Sequence, residues 1–154
     1  MYAPPSRGEV YFGRCLVTGG TGWLGKHLVA VLEAAGNEVT TLDRSKSFEG
    51  RFDAIFHAAP TPVDEWCERS RSWDDAPILL LSSGAVVLKP ESYRAGYGQE
   101  KRAAEAVCRR YNAQVARIFS VLGPGIPLDA HYAASHFLRQ ATAGGPVVVK
   151  DGAI

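Results

Sequence analysis

The sequence predicts an α/β domain: a doubly wound parallel sheet of about six strands with helices on both faces. Three observations carry this. Cys15, Leu16, Val17 and Thr18 form a short apolar run, the pattern of a strand buried on both faces. Three glycines follow at spacing three, Gly19, Gly22 and Gly25, and then Leu24, Leu28, Val31 and Leu32 recur at helical period. Further short apolar runs then alternate with helical patterns along the rest of the chain.

Each element has its own signal. Met1–Gly13 is expected to be a loose arm, since Pro4, Pro5 and Gly8 discourage regular structure. The first strand covers Cys15–Thr18 and the first helix Trp23–Ala35, which Gly36 and Asn37 end. Glu38–Leu42 is the second strand, followed by Asp43. Ala54–Ala58 is the third, ten residues further on. A parallel crossover usually needs a dozen or more. Ten extended residues nevertheless reach about 33 Å, so a bare loop can make the return. A short helix is expected over Asp64–Trp73, and a core strand over Ile78–Leu81 leads into Ser82-Ser83-Gly84. Arg94–Tyr111 is the clearest later helix. Ala103, Ala104, Val107 and Cys108 form its apolar stripe, with Arg102, Glu105 and Arg109 facing out. Gln114–Phe119 is a strand. Asp129 is placed to cap a helix running to Ala143, which Gly144-Gly145-Pro146 stops, and Val147–Val149 is the last strand.

The glycines sit on the turn from strand to helix, and that context makes the run informative. Gly19 turns sharply because it has no Cβ. Gly22 admits a diphosphate to the backbone, and Gly25 lets the helix pack close to the sheet. The first helical N–H groups, around Trp23 and Leu24, have no partner within the helix and form an anion site with the dipole. The acid Asp43 lies 18 residues after Gly25. There it can accept hydrogen bonds from both adenosine ribose hydroxyls and repel a 2′-phosphate, which favours NAD over NADP. Arg44 works the other way, since it could tolerate that phosphate.

T-G-G-T-G-W-L-G resembles the cofactor fingerprint of the extended short-chain dehydrogenase/reductases, the NAD-dependent sugar epimerase/dehydratase family. The resemblance implies a reduced Rossmann-like sheet, ordered second, first, third, fourth, fifth, sixth along this chain. The family has another helix and strand after the second strand, for which this sequence has no room. His57-Ala58-Ala59 resembles the family's H-A-A motif lining the cofactor cleft. Small Ala58 and Ala59 would let the dinucleotide pass, and His57 is read as structural.

Tyr97-Gly98-Gln99-Glu100-Lys101 places a tyrosine and a lysine at i, i+4 on one helix face. A nearby ammonium favours phenolate and makes the tyrosine a usable acid or base. Y-G-Q-E-K-R-A-A-E resembles the family's Y-G-x-x-K-x-x-x-E run, and Ser82-Ser83 its serine pair. The resemblance implies catalytic Ser83, Tyr97 and Lys101. It also implies an NAD site built from Gly19, Gly22, Trp23, Leu24, Gly25, Asp43, Arg44, Ala58, Ala59, Tyr97 and Lys101. Arg117–Gly125 resembles R-x-F-N-x-Y-G-P-G, with Ser120 in place of Asn and Leu122 in place of Tyr. Val87-Leu88 also replaces the usual Tyr-Gly after the serine pair. His136–Gly152 resembles the following family segment, beyond which the family has a further substrate-binding region.

Composition bounds the function. The 154 residues carry a net charge of +1, with 46% hydrophobic and 21% charged residues, ordinary for a globular protein. That charge gives no case for nucleic acid or an anionic membrane. Cys15, Cys67 and Cys108 are far apart, and no signal peptide is recognisable in Met1–Gly13. Both features point to a reducing, cytoplasmic setting. No His, Cys and acid stand at metal-ligand spacing, so no metal is expected. The expected layout is an arm over 1–13 and an NAD-binding domain over 14–154, with the substrate region largely absent. The expected function is an NAD-dependent oxidoreductase of epimerase/dehydratase type acting on a nucleotide sugar. The alternatives are a non-catalytic dinucleotide-binding module and a part of a longer enzyme. A homodimer is compatible with each.

Overall fold

The computed structural model describes residues 10–42, 50–59, 76–87, 95–130 and 133–149. The chain divides into two compact units, Met1–Ile118 and Phe119–Ile154. The first is a five-stranded, all-parallel α/β unit of Rossmann-like form. Its strands are β1 (Arg14–Thr18), β2 (Glu38–Leu42), β3 (Ala54–His57), β4 (Ile78–Ser83) and β5 (Gln114–Ile118), in the order β2-β1-β3-β4-β5. Among the described residues its helices are α1 (Trp23–Ala34) and α2 (Ala95–Arg110), with a 3₁₀ turn over Gly84–Val86. The strand order matches the expectation for the first five strands. β3 pairs directly with β1, so the short return from β2 suffices. Among the described residues β2 has no outer neighbour. The helix expected over Asp64–Trp73 lies outside the described residues.

Strand alternation splits the core between two faces. On one face Cys15, Val17, Ala54 and Phe56 pack with Leu79 against Leu28 and Leu32 of α1. On the other, Leu16, Leu42, Phe52 and Ile55 pack with Ile78. Leu80, two residues on and therefore on that same face, meets Cys108 and Ala104 of α2. α1 and α2 thus cover opposite faces, which is what makes the unit doubly wound. Cys15 and Cys108 are buried and form no disulfide. Burial, with Asp53 nearby, pushes the Cys15 thiol up to about 11.

The two helices described in this unit end in the same device. Gly36, at φ 92°, donates to Glu33 O, and Asn37 N donates to Leu32 O. In α2, Asn112 at φ 54° donates to Arg109 O, and Ala113 N to Cys108 O. These are Schellman caps, with glycine or asparagine at the left-handed position.

Asn37 does more than follow the cap. Its Oδ1 accepts from Phe12 N (2.7 Å) and Gly13 N (3.1 Å), and its Nδ2 donates to Val10 O and Leu32 O. Residues 10–13 are therefore tied down rather than loose, and the rest of the arm expected over Met1–Gly13 lies outside the described residues. Their backbone finds in one buried amide the partners it would otherwise take from water. Asn37→Ala should cost about 2 kcal/mol, because several backbone groups lose their partner together. Urea unfolding checks this, and an unchanged midpoint would show that water replaces the amide freely.

In the second unit α3 covers Ala133–Thr142, starting later than expected. Asp129 sits in a turn closed by Ala130 N donating to Pro127 O, so it does not cap the helix. Gly144, at φ 73°, follows the helix end. The expected sixth strand over Val147–Val149 is absent: these residues are exposed and belong to no strand. Instead the Gln140 side chain accepts from Val148 N (2.7 Å) and donates to Val148 O (3.4 Å). A β-branched run becomes a strand only when a neighbouring strand takes its N–H and C=O groups. Here a side-chain amide takes them at Val148.

Candidate functional site

The candidate site lies along the carboxyl ends of the parallel strands, where doubly wound sheets bind ligands. β1 ends at Thr18 and passes into the glycine turn. Gly19 has φ 71°, a conformation that disfavours any residue with a Cβ. A Cβ there would also lie 2.8 Å from the Ala59 backbone and 2.9 Å from the Ala58 carbonyl carbon. The loop therefore rests directly on the end of the β3 segment, and small Ala58 and Ala59 help to make that approach.

Gly25 is closed in the same way. A Cβ would strike the carbonyl oxygen of Gly19, with Gly20 Cα 2.8 Å away. Gly22 differs. It is exposed, its φ of −71° and ψ of 164° suit any residue, and a Cβ would meet only Gly19 O at 3.3 Å. It stands at the N-cap of α1 without a side chain, so no side chain caps the helix. The first-turn N–H groups of a helix have no intrahelical partner, and Trp23 and Leu24 are half-buried at this end of α1. Two glycines thus close the turn against the sheet and the third leaves its outer side open. The open side at a helix N-terminus leaves room for an anionic group, and so fits the dinucleotide that the motif implies.

The floor of the turn is braced. Thr18 and His57 are opposite one another in the β1–β3 register, and Thr18 Oγ1 lies 2.8 Å from His57 Nδ1 in buried surroundings. His57 is thus placed inside the sheet, as a structural residue would be. Trp23 and His27, one turn apart on α1, stack edge to face with centroids 5.4 Å apart. Asp43 and Arg44 lie outside the described residues.

The second group sits across β4 and α2. Strand β4 extends through both serines, and Ser83 Oγ accepts from Ala85 N at 3.2 Å at the start of the 3₁₀ turn. With an acceptor site of its oxygen so occupied, the hydroxyl keeps its proton for donation elsewhere. Tyr97 and Lys101 stand one turn apart on α2, which packs against β4 and the 3₁₀ turn. Tyr97 is 37% exposed. Lys101 Nζ lies 5.8 Å from the centroid of its ring, and burial holds the ammonium pKa below the usual lysine value, with Glu100 opposing. The structure therefore brings Tyr97 and Lys101 together and places Ser83 on the strand against which their helix packs.

Two residues here, Glu105 and Ala103, depart from the sequence reading, and Arg102 makes a contact that it did not foresee. Glu105, expected to face out, is only 2% exposed. Its Oε1 accepts from Ser82 Oγ (2.7 Å) and Arg117 Nε (2.9 Å), and its Oε2 from Arg117 Nη2 (2.7 Å). The two-pronged Arg117 contact holds the carboxyl below the usual carboxylate range against the opposing effect of burial, with Ser82 and Arg109 assisting. Arg102, also expected to face out, is exposed yet donates to Val86 O at 2.7 Å. Ala103, placed in the apolar stripe, is exposed instead. The available signal was spacing: Tyr97, Lys101 and Glu105 form an i, i+4, i+8 series.

The first unit has a Rossmann-like fold, and comparison with solved structures bears out that fold. Residues of CapF, a capsular polysaccharide assembling protein from Staphylococcus aureus, superpose with a TM-score of 0.70 at 20% identity, covering 92% of this chain and 44% of that one. A UDP-galactose 4-epimerase gives 0.65 at 20% identity, with coverage of 84% and 63%. At such identities the likeness is one of fold.

The sequence relationship is more particular. Residues 15–71 match the model of the NAD dependent epimerase/dehydratase family, the family that the glycine run resembles. UDP-glucuronic acid decarboxylase 1 of Xenopus tropicalis is 26% identical over 202 aligned positions, covering 88% of this chain and 48% of that protein. UDP-glucuronic acid decarboxylase 6 of Arabidopsis thaliana is 28% identical, with coverage of 95% and 62%. The chain thus spans about half to two thirds of the length of these relatives. The 202 aligned positions exceed the 154 residues of the whole chain. The relatives therefore carry, within the aligned region, segments that this chain lacks.

No helix among the described residues is long and apolar enough to cross a membrane.

Proposed function

We propose that this chain binds NAD(H) on the Gly19–Gly25 turn and acts on a nucleotide sugar with Ser83, Tyr97 and Lys101. The observation that carries the reading is the asymmetry of the three glycines: Gly19 and Gly25 are closed by backbone, while Gly22 is open at a helix N-terminus. The epimerase/dehydratase match over residues 15–71 and the sugar-nucleotide relatives support the same reaction class.

When bound, NAD supplies the nicotinamide ring that takes up hydride from a sugar carbon. The chain's own residues handle the proton. Tyr97 removes it from the sugar hydroxyl. Lys101, within about one helical turn, favours the tyrosinate and holds the nicotinamide ribose. The Ser83 hydroxyl, its proton free for donation, steadies the reacting oxygen as negative charge develops there. Asp43 accepts from the adenosine ribose and selects NAD(H) over NADP(H), and the protein works in the cytoplasm.

A second reading, a dinucleotide-binding module without turnover, draws on the substrate side. Ser120 and Leu122 stand where the family carries Asn and Tyr, and Phe119 and Leu122 are largely exposed apolar side chains. One experiment separates the two. NADH and NADPH are titrated by fluorescence, then the protein is incubated with NAD and a panel of UDP-, GDP- and dTDP-sugars. Saturable binding, tighter for NADH, is expected, with turnover that Tyr97→Phe lowers by about a hundredfold or more. Turnover undiminished in Tyr97→Phe overturns the assignment. NADH binding without turnover in either protein favours the module.

A further inference from the structure

Ser83 lies between two points at which α2 grips the strand end. Before it, Ser82 donates its hydroxyl to Glu105 of α2 at 2.7 Å. After it, the carbonyl of Val86 accepts from Arg102 of α2, also at 2.7 Å. Arg102 and Glu105 are one helical turn apart, and Arg102 directly follows Lys101. The remaining packing between α2 and β4 is Leu80 against Cys108, Ala104 and their apolar neighbours. Apolar packing is non-directional and leaves a helix some freedom to roll or slide. Hydrogen bonds to charged groups are short and directional, and two of them on either side of a residue remove that freedom. Arg117 completes the arrangement by fixing the Glu105 carboxylate from β5, so that Oε1 faces Ser82.

We propose that Arg102 and Glu105 are positioning residues that set the Ser83 hydroxyl against the Tyr97–Lys101 pair. The inference rests on the catalytic reading of those three residues. Neither Arg102 nor Glu105 touches a reacting atom; each acts through the strand end. Arg102 is the sharper probe because it is exposed, so its replacement leaves the core intact. Ser82→Ala tests the other grip while the Glu105–Arg117 pair stays in place.

The experiment measures kcat, KM and NADH affinity for Arg102→Met, Arg102→Lys and Ser82→Ala, each alone and combined with Ser83→Ala. Arg102→Met keeps the long stem and loses the donor; lysine restores a donor. Small misplacements of reacting groups carry large rate costs, so Arg102→Met and Ser82→Ala should each lower kcat about tenfold. KM and the NADH dissociation constant should stay within about twofold, and Arg102→Lys should recover most of the rate. In the Ser83→Ala background the same changes should cost less than about twofold, because their route of action is already gone. An unchanged kcat in Arg102→Met, or a full further tenfold loss on top of Ser83→Ala, overturns the proposal. If the wild-type chain shows no turnover, the catalytic reading fails and amide hydrogen exchange at Ala85 decides the positioning. Faster exchange in Arg102→Met, reversed in Arg102→Lys, supports the grip; unchanged exchange overturns it.

Discussion

Gly22→Val should abolish NADH binding in a protein that still folds, while Gly25→Ala should damage the fold itself. The two glycines lie three residues apart, Gly22 at the extended N-cap of α1 and Gly25 in its first turn, and differ in what surrounds them. At Gly25 a Cβ would run into the carbonyl oxygen of Gly19, with Gly19 C at 2.7 Å and Gly20 Cα at 2.8 Å. All of these are backbone atoms, so no side chain can swing aside. The turn or the start of α1 must shift, at a cost of about 3 kcal/mol. At Gly22 the backbone angles admit valine and the only close atom is Gly19 O at 3.3 Å. The fold should lose less than about 1 kcal/mol there, a matter of N-cap preference. The added branches would stand where the diphosphate has to approach the helix N-terminus. NADH affinity should fall at least about a hundredfold, or about 2.8 kcal/mol. Thermal melts followed by circular dichroism, together with NADH fluorescence titrations, read both effects. Wild-type affinity in a folded Gly22→Val protein would place the dinucleotide elsewhere.

Glu105→Ala is expected to destabilise the protein by about 3 kcal/mol, because it leaves buried Ser82 and the Arg117 guanidinium without their shared acceptor. Acid should reproduce part of that loss. The bonds from Arg117, then Ser82, hold the Glu105 pKa in the fold below its ordinary value of 4.5. Between the two values the unfolded chain binds more protons, so stability rises with pH across that interval. The contribution is complete above about pH 4.5 and is lost as pH falls through the lower, folded value. Urea unfolding at a series of pH values should show a steeper acid limb in the wild type than in Glu105→Gln. Parallel acid limbs would mean that the ion pair does not contribute to folding.

The local elements were legible because their causes lie within a few residues. Cys15–Thr18 is fully buried, as a four-residue apolar run should be, and the glycine turn sits where its spacing places it. Steric limits on φ and ψ and the helical recurrence of Leu28 and Leu32 need no distant partner to act. The same holds for Tyr97 and Lys101, whose proximity follows from helix geometry alone. The short return from β2 to β3 was legible too, since chain length limits what can fit between them.

The misses are the places where a distant partner decides. A carboxylate on a helix is assigned to the outside because burying its charge costs several kcal/mol. Glu105 goes inside because Arg117 and Ser82, brought from two different strands, meet that cost with hydrogen bonds. Asn37 follows a helix-ending glycine in the sequence; only the fold shows its amide holding Phe12 and Gly13. Val147–Val149 has the composition of a strand, yet Gln140 takes the backbone groups of Val148 and no strand forms. By itself, then, the sequence determined the strand–glycine–helix unit and the Tyr97–Lys101 pair, because sterics and apolar periodicity act over short stretches, while the order of the first five strands was legible through the family resemblance. Only the tertiary structure decided which polar groups enter the core and which apolar run goes unpaired, because a buried charge or a strand edge is stable only with the partner that folding brings to it.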